Sequence, residues 1–313
     1  MADARLAFCF PGQGSQAVGM GRAFHETSAA ARAVFEEASD ALGFDVAKLC
    51  FEGPESELQL TANTQPAVLT VSVAGARLLA ARGLTPSVVG GHSLGEYSAL
   101  VSAGALSFRD AVRVVRRRGE FMQEAVPVGT GAMAAVLGVD LPVVEEICRD
   151  AAGGEVLDVA NINSPGQIVV AGHRAAVERA VALATARGGK RSVILPVSAP
   201  FHCRLMAPAA ERLAEVLGAV PAADPRPPVV RNVDAELTTR ADDVRPLLIR
   251  QVTAPVRWTD CVRRMASEGC RTFLEVGPGK VLTGLLRRID GAATGIAVED
   301  AAGLDKAVAA LGA

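Results

Sequence analysis

Gly91-His92-Ser93-Leu94-Gly95 is the stretch on which the reading of this chain turns. Its form is G-x-S-x-G. Ser87-Val88-Val89 reads as a short strand before it, and Leu94 to Ala103 reads as helix after it. A serine on such a strand-to-helix turn is a nucleophile elbow, its hydroxyl held clear of the backbone. Glycines two residues away on each side let neighbouring backbone come close where a Cβ would clash. The following helix begins under the serine, so its free N–H groups and positive end can stabilise an oxyanion. An ordinary glycine–serine turn shares the pattern; the strand and helix on the correct sides argue for the elbow.

Outward from the elbow, Leu6 to Phe10 reads as a buried strand broken by Pro11-Gly12-Gln13-Gly14-Ser15. Phe24 to Leu42 and Thr64 to Arg82 have helical spacing, with Pro66 near the start of the second. Ser107-Phe108-Arg109-Asp110 reads as a capping box for a helix running to Ala125. The pattern then changes. Strand Ala132–Leu137, helix Leu141–Ala152, strands Val156–Ala160 and Gln167–Ala171, helix Arg174–Arg187 and strand Arg191–Leu195 follow in turn. Asn163-Ser164-Pro165-Gly166 is the turn between the middle strands. The order β-α-β-β-α-β is ferredoxin-like and predicts an inserted subdomain over 129–197. Residues 1–128 and 198–313 then form one discontinuous core. Its later part has helices at Leu205–Leu217, Val256–Ser267 and Val281–Ile289, and strands at Thr272–Val276 and Ile296–Val298. The alternation predicts an α/β fold with a mostly parallel sheet covered on both faces.

Length and composition agree. A chain of 313 residues allows about two domains. With 50% hydrophobic and 21% charged residues it is neither disordered nor supercharged. A net charge of -2 gives no steering toward nucleic acid. The 6 cysteines form no CxxC pair, so no zinc framework or disulfide scaffold is expected. No run of about 18 apolar residues offers a membrane span, and no signal peptide is read, so a cytoplasmic protein is expected. No Asp/His cluster has metal spacing. Gly277-Pro278-Gly279-Lys280 is not a Walker A loop, because Val281 stands in place of Ser/Thr. Gly12-Gln13-Gly14 is not a dinucleotide fingerprint, because Ala17 occupies the third glycine position.

A serine nucleophile needs a base, and only 4 histidines exist. His25 reads as a solvated helix residue, His173 as a cap-region residue, and His92 as a neighbour too close to turn back onto Ser93. His202, in Pro200-Phe201-His202-Cys203, re-enters the core just after the insertion and is favoured as base. The group that orients it stays open: Asp140, Asp158, Glu178, Asp234, Asp260 and Glu275 hold no distinctive place, and a backbone carbonyl would serve. Arg113, Arg116, Arg117 and Arg118 lie on one helix and cannot share one face; one can turn inward, and the reading selects none.

Taken together the motifs resemble the malonyl-CoA:acyl carrier protein transacylases of bacterial fatty-acid synthesis. The resemblance runs from Phe8 to Ile289. It is carried by Pro11-Gly-Gln-Gly-Ser-Gln16, Gly91-His-Ser-Leu-Gly-Glu96, Arg118-Gly119, Asn161 with Pro165-Gly166, Pro200-Phe-His-Cys203, Asn232-Val-Asp234, Arg250-Gln251 and Glu275-Val-Gly-Pro-Gly-Lys280. It implies an α/β-hydrolase-like core with a ferredoxin-like insertion. It implies a ping-pong S-malonyltransferase in which malonyl passes from coenzyme A to Ser93 and then to the phosphopantetheine thiol of acyl carrier protein. His202 would be base and then acid, oriented by the backbone carbonyl of Gln251. Arg118 would pair with the malonyl carboxylate. The amides of Gln13 and Leu94 would form the oxyanion hole. His92 and Asn161 would support the pocket, and Phe201 would disfavour an α-methyl branch. No cofactor or metal is implied. Malonyl-CoA and acyl carrier protein are the implied partners, with no nucleic acid or membrane, and a monomer is expected. An acidic carrier should meet a basic rim drawn from Arg113, Arg116, Arg117, Lys190, Arg191, Lys280, Arg287 and Arg288. The rival readings are a polyketide-serving malonyl acyltransferase, a serine esterase or thioesterase, and a catalytically inert carrier-binding scaffold.

Overall fold

The computed structural model describes residues 5–312. The chain begins with strand β1 (Arg5–Phe10), followed by helices α1 (Arg22–Thr27), α2 (Ala29–Leu42), α3 (Val46–Glu52), α4 (Glu55–Leu58) and α5 (Thr61–Ala81). Strand β2 (Val88–Gly91) leads into α6 (Leu94–Ser102) and α7 (Phe108–Glu124). Next come β3 (Gly131–Leu137), α8 (Leu141–Ala152), β4 (Leu157–Ser164), β5 (Gln167–His173), α9 (Arg174–Ala186) and β6 (Arg191–Ile194). The chain closes with α10 (Ala207–Gly218), β7 (Val229–Val230), β8 (Leu237–Thr238), α11 (Ala241–Gln251), α12 (Trp258–Ser267), β9 (Cys270–Val276), α13 (Val281–Ile289), β10 (Thr294–Val298) and α14 (Ala301–Leu311).

Two sheets result. The larger has the order β10-β9-β1-β2-β7-β8 and is parallel except for the β7–β8 pair. β1 is central and buried after Arg5, so its apolar residues need not alternate with polar ones. The smaller sheet, β4-β5-β3-β6, pairs antiparallel throughout. Its strand order and the α8 and α9 crossovers give the ferredoxin-like arrangement. The smaller sheet is tied along β4 to the segment before α12, where the Ile162 amide donates to the Val256 carbonyl at 2.8 Å and the Val256 amide to the Ala160 carbonyl at 2.9 Å.

Four sequence expectations change. The helix expected from Phe24 to Leu42 is two, because Ser28 leaves helical geometry and its hydroxyl accepts from the Ala31 amide to start α2. α5 begins at Thr61, which puts Pro66 inside the helix. Pro66 cannot donate to the Ala62 carbonyl, and Arg116 Nη1 of α7 donates there instead at 3.2 Å. The helix expected from Val256 begins at Trp258, since Val256 is drawn into the bridge to β4. Helices α3, α4 and α11 and the two-residue strands β7 and β8 lie where the sequence reading names no element.

Close backbone approach shapes the elbow. A Cβ on Gly95 would lie 2.0 Å from the Phe10 carbonyl oxygen, and one on Gly91 would lie 2.0 Å from the Gly95 carbonyl. Both glycines therefore let α6 descend onto the end of β1. Ser93, between them, has φ 53 and ψ -105, a strained conformation of the kind that functional turns hold. Among the described residues no helix is long and apolar enough to cross a membrane.

Candidate active site

Ser93 Oγ lies 2.7 Å from His202 Nε2. The opposite ring nitrogen, Nδ1, lies 2.9 Å from the carbonyl oxygen of Gln251. That acceptor requires a proton on Nδ1 and leaves Nε2 free to take one from Ser93. The group that stands at Nδ1 is thus a backbone carbonyl and none of the six acids weighed for that place. Asp158 instead accepts from the Arg204 amide, Asp234 pairs with Arg231, and Glu275 receives the amides of Leu282 and Thr283 at the start of α13. His202 itself has φ 59, a left-handed conformation uncommon for a non-glycine residue. Burial, and then the nearby Arg118 guanidinium, push its ring down to about 3, so it rests neutral.

Arg118 is the arginine that turns inward. It is 2% exposed, whereas Arg113 and Arg117 face solvent. Its place on α7 follows from the apolar stripe Ala111, Val114, Val115, Phe121 and Met122, on which it falls. That stripe was in the sequence and selects Arg118, contrary to the reading that nothing distinguished it. Gly119 beside it permits the approach: a Cβ there would lie 2.6 Å from Ala62 Cα of α5. The close crossing lets Arg118 Nη1 donate to Gln65 Oε1 at 2.7 Å. Nη2 donates to Gln251 Oε1 at 2.9 Å and to Ser93 Oγ at 3.1 Å. A buried guanidinium held only by neutral oxygens suits a carboxylate, which would form stronger, bidentate bonds.

A cavity of about 120 Å³ opens over Ser93. Gln13, Leu94, His92, Asn161 and Phe201 all line it, with Ser93, Arg118 and His202. Leu94 carries the first amide of α6, with no preceding helical turn to receive it. The amide of Ser93 is occupied by Asn232 Oδ1 at 2.7 Å. The Gln13 side chain is held by Thr61. His92 does not approach Ser93 with its ring; its Nε2 meets Asn163 Oδ1 at 2.8 Å and its ring packs on Trp258.

Several contributors had no assigned role in the sequence reading. Gln65 was not singled out at all. Asn232 braces the elbow twice, through the Ser93 amide and by donating to the Gly91 carbonyl at 2.7 Å. Glu96, buried behind the nucleophile, accepts from Gln251 Nε2 at 2.6 Å and from the Asn232 amide at 3.2 Å. Burial raises its carboxyl to about 7, the hydrogen bonds and Arg118 opposing. Met133, Leu195 and Val197 supply an apolar wall from the smaller sheet side.

Other expectations need correction. His25 is half-buried against the edges of Phe35 and Phe51, not solvated. Of the eight residues expected on a basic rim, Arg116 and Arg117 pair with Glu120 and Lys280 with Glu299, while Arg113 donates to the Ala41 carbonyl. Lys190 and Arg191, at the start of β6, are exposed and form no ion pair among the described residues. No cluster of three His, Cys, Asp or Glu side chains suited to a metal occurs among the described residues.

Residues 7–308 match the family model for the acyl transferase domain. The malonyl CoA-acyl carrier protein transacylase of Escherichia coli is 51% identical over 297 residues, 95% of this chain and 96% of that protein. Its Bacillus subtilis counterpart is 47% identical over 308 residues, 98% of this chain and 97% of that protein. The crystal structure of an acyl carrier protein S-malonyltransferase from Vibrio cholerae superposes with a TM-score of 0.95 at 48% identity, covering 97% of this chain and 100% of that one. With the elbow, its histidine and the inward arginine in one cavity, the chain belongs to the acyl transferase domain family, and within it to the malonyl-CoA:acyl carrier protein transacylases.

Proposed function

We infer that this enzyme moves a malonyl group from coenzyme A to the phosphopantetheine thiol of acyl carrier protein through a malonyl ester of Ser93. One observation supports the substrate choice above the others: a buried guanidinium, Arg118, stands 3.1 Å from the Ser93 hydroxyl. An acyl group bound to Ser93 with a free carboxylate at its far end gives that charge a partner. An acetyl group leaves it with neutral amides.

The steps balance around one proton. Ser93 Oγ attacks the thioester carbonyl as its proton passes to His202 Nε2. The amides of Gln13 and Leu94 receive the oxyanion. The carbon–sulfur bond breaks, and the departing coenzyme A sulfur takes the proton from His202. In the second half the carrier thiol gives its proton to His202, its sulfur attacks the ester, and Ser93 leaves with that proton. Phe201, on the cavity wall beside His202, would crowd an α-methyl branch on the acyl group. Lys190, Arg191, Arg287 and Arg288, exposed and in no ion pair among the described residues, are the candidates to meet an acidic carrier.

Incubation of enzyme, malonyl-CoA and holo acyl carrier protein should yield malonylated carrier, detected by its mass, faster than free malonate. Free malonate as the dominant product would favour a thioesterase instead.

The low value of His202 has a kinetic consequence. kcat/KM reports the free enzyme, in which His202 is neutral above about pH 4. A histidine with an ordinary value near 6.5 would cost about 30-fold between pH 8 and pH 5. Here kcat/KM for malonyl loading should change less than about threefold over that range. Glu96 titrates inside this window, yet it keeps an acceptor oxygen for Gln251 in either form. A loss with a midpoint near 6.5 would show that burial and Arg118 do not hold the ring neutral.

A further inference from the structure

We propose that Glu96 is a positioning residue that fixes the direction of the Gln251 side-chain amide, and through it the place of Arg118. The proposal rests on the malonyl reading above. Glu96 lies on the first turn of α6, is 3% exposed, and is not part of the cavity wall, so it touches no acyl group.

The two ends of a primary amide are nearly alike in shape, and only their partners decide which end is oxygen. At Gln251 the oxygen faces Arg118 Nη2, which can only donate. The nitrogen faces the Ser93 carbonyl at 3.0 Å and Glu96 Oε2 at 2.6 Å, both acceptors. Reversal would set donor against donor at Arg118 and acceptor against acceptor behind Ser93, all in buried surroundings. Glu96 supplies the closer and stronger of the two amide contacts. It is itself anchored by the Asn232 amide, so it does not follow Gln251 if the amide turns. The same Gln251 holds His202 Nδ1, but through its backbone carbonyl, which amide rotation does not move. Loss of Glu96 should therefore disturb Arg118 far more than the Ser93–His202 pair.

Two reactions of Ser93 separate these effects. Malonyl loading from malonyl-CoA uses Arg118; labelling by a small neutral fluorophosphonate uses only the activated serine. For Glu96→Ala, malonyl loading should fall about 10- to 100-fold, with a rise in half-saturating malonyl-CoA, the scale of one lost orienting hydrogen bond at a buried site. Fluorophosphonate labelling should stay within about threefold. Glu96→Gln keeps one acceptor oxygen and should restore malonyl loading to within about threefold of the wild type. If the alanine variant does not fold, Glu96→Met fills the space without a strong acceptor and replaces it. Equal losses in both reactions would make Glu96 a brace of the elbow and overturn the proposal. So would unchanged malonyl loading, or a glutamine variant as slow as alanine. Wild-type enzyme that takes the fluorophosphonate but no malonyl would overturn the functional reading itself, and the proposal with it.

Discussion

Ser93→Ala, exposed briefly to malonyl-CoA and quenched in acid, is expected to gain no malonyl mass where the wild type gains one group. Its transfer rate should fall on the order of 10⁵-fold. His202→Ala should lose a comparable amount, and the double variant should be little worse than either single one. The reason is that the two act as one device. The hydroxyl is a poor nucleophile until Nε2, 2.7 Å away, takes its proton, and the imidazole has no role without a hydroxyl to serve. Additive losses in the double variant would mean that serine and histidine act in separate steps. A malonyl adduct on Ser93→Ala would place the ester elsewhere.

The parts of this arrangement that depend on local chemistry were legible before any coordinates. The elbow is such a part: strand, glycine, serine, glycine and helix are consecutive in the chain, and the strain at Ser93 belongs to that one turn. The ferredoxin-like subdomain is another, since each of its elements is bounded by its own turn residues and its helices α8 and α9 keep a clear apolar stripe. α11 was missed because Pro246 sits inside it and Asp242, Asp243, Arg245 and Arg250 dilute its apolar pattern. β7 and β8 are two residues each, too short for any periodicity.

The site divides along the same line. Ser93 and His202 were reached from residue type and position. Gln251 was reached only through the family resemblance, because a backbone carbonyl leaves no mark on side-chain identity. Gln65 was not reached at all: its contact with Arg118 depends on how closely α5 and α7 cross, a distance set by Gly119 against Ala62. Glu96 stood in the quoted motif without a role, since its partners Gln251 and Asn232 come from segments 155 and 136 residues away. Arg118 is the instructive case in the other direction. Its place on the apolar stripe of α7 was available to a count of helical positions, and a charged residue on such a stripe signals a paired or functional group.

Arg118→Ala is expected to reduce malonyl loading of Ser93 by about 10³- to 10⁴-fold, while acetyl loading from acetyl-CoA changes less than about tenfold. The asymmetry follows from what the guanidinium touches. In the free enzyme its donors rest on the amide oxygens of Gln65 and Gln251 and on the Ser93 hydroxyl. A malonyl carboxylate replaces neutral acceptors by an ionised one and supplies the charge that the buried site lacks. An acetyl group changes none of these bonds, so its loading does not draw on Arg118. Without the arginine, the malonyl carboxylate would enter a buried cavity unpaired, at a cost that closes the site to it. Arg118→Lys should recover only part of the loss, because a point charge cannot present the planar fork that spans Gln65, Gln251 and the carboxylate together. The same substitution to alanine also removes the positive charge that helps hold His202 near 3, so the pH profile for acetyl loading should shift its acid limb upward. Selective loss of malonyl with that upward shift would assign Arg118 both to reading the carboxylate and to keeping the base neutral. Equal loss of malonyl and acetyl loading would instead make it a brace for the Ser93 hydroxyl, and the choice of a dicarboxylic acyl group would then need another source.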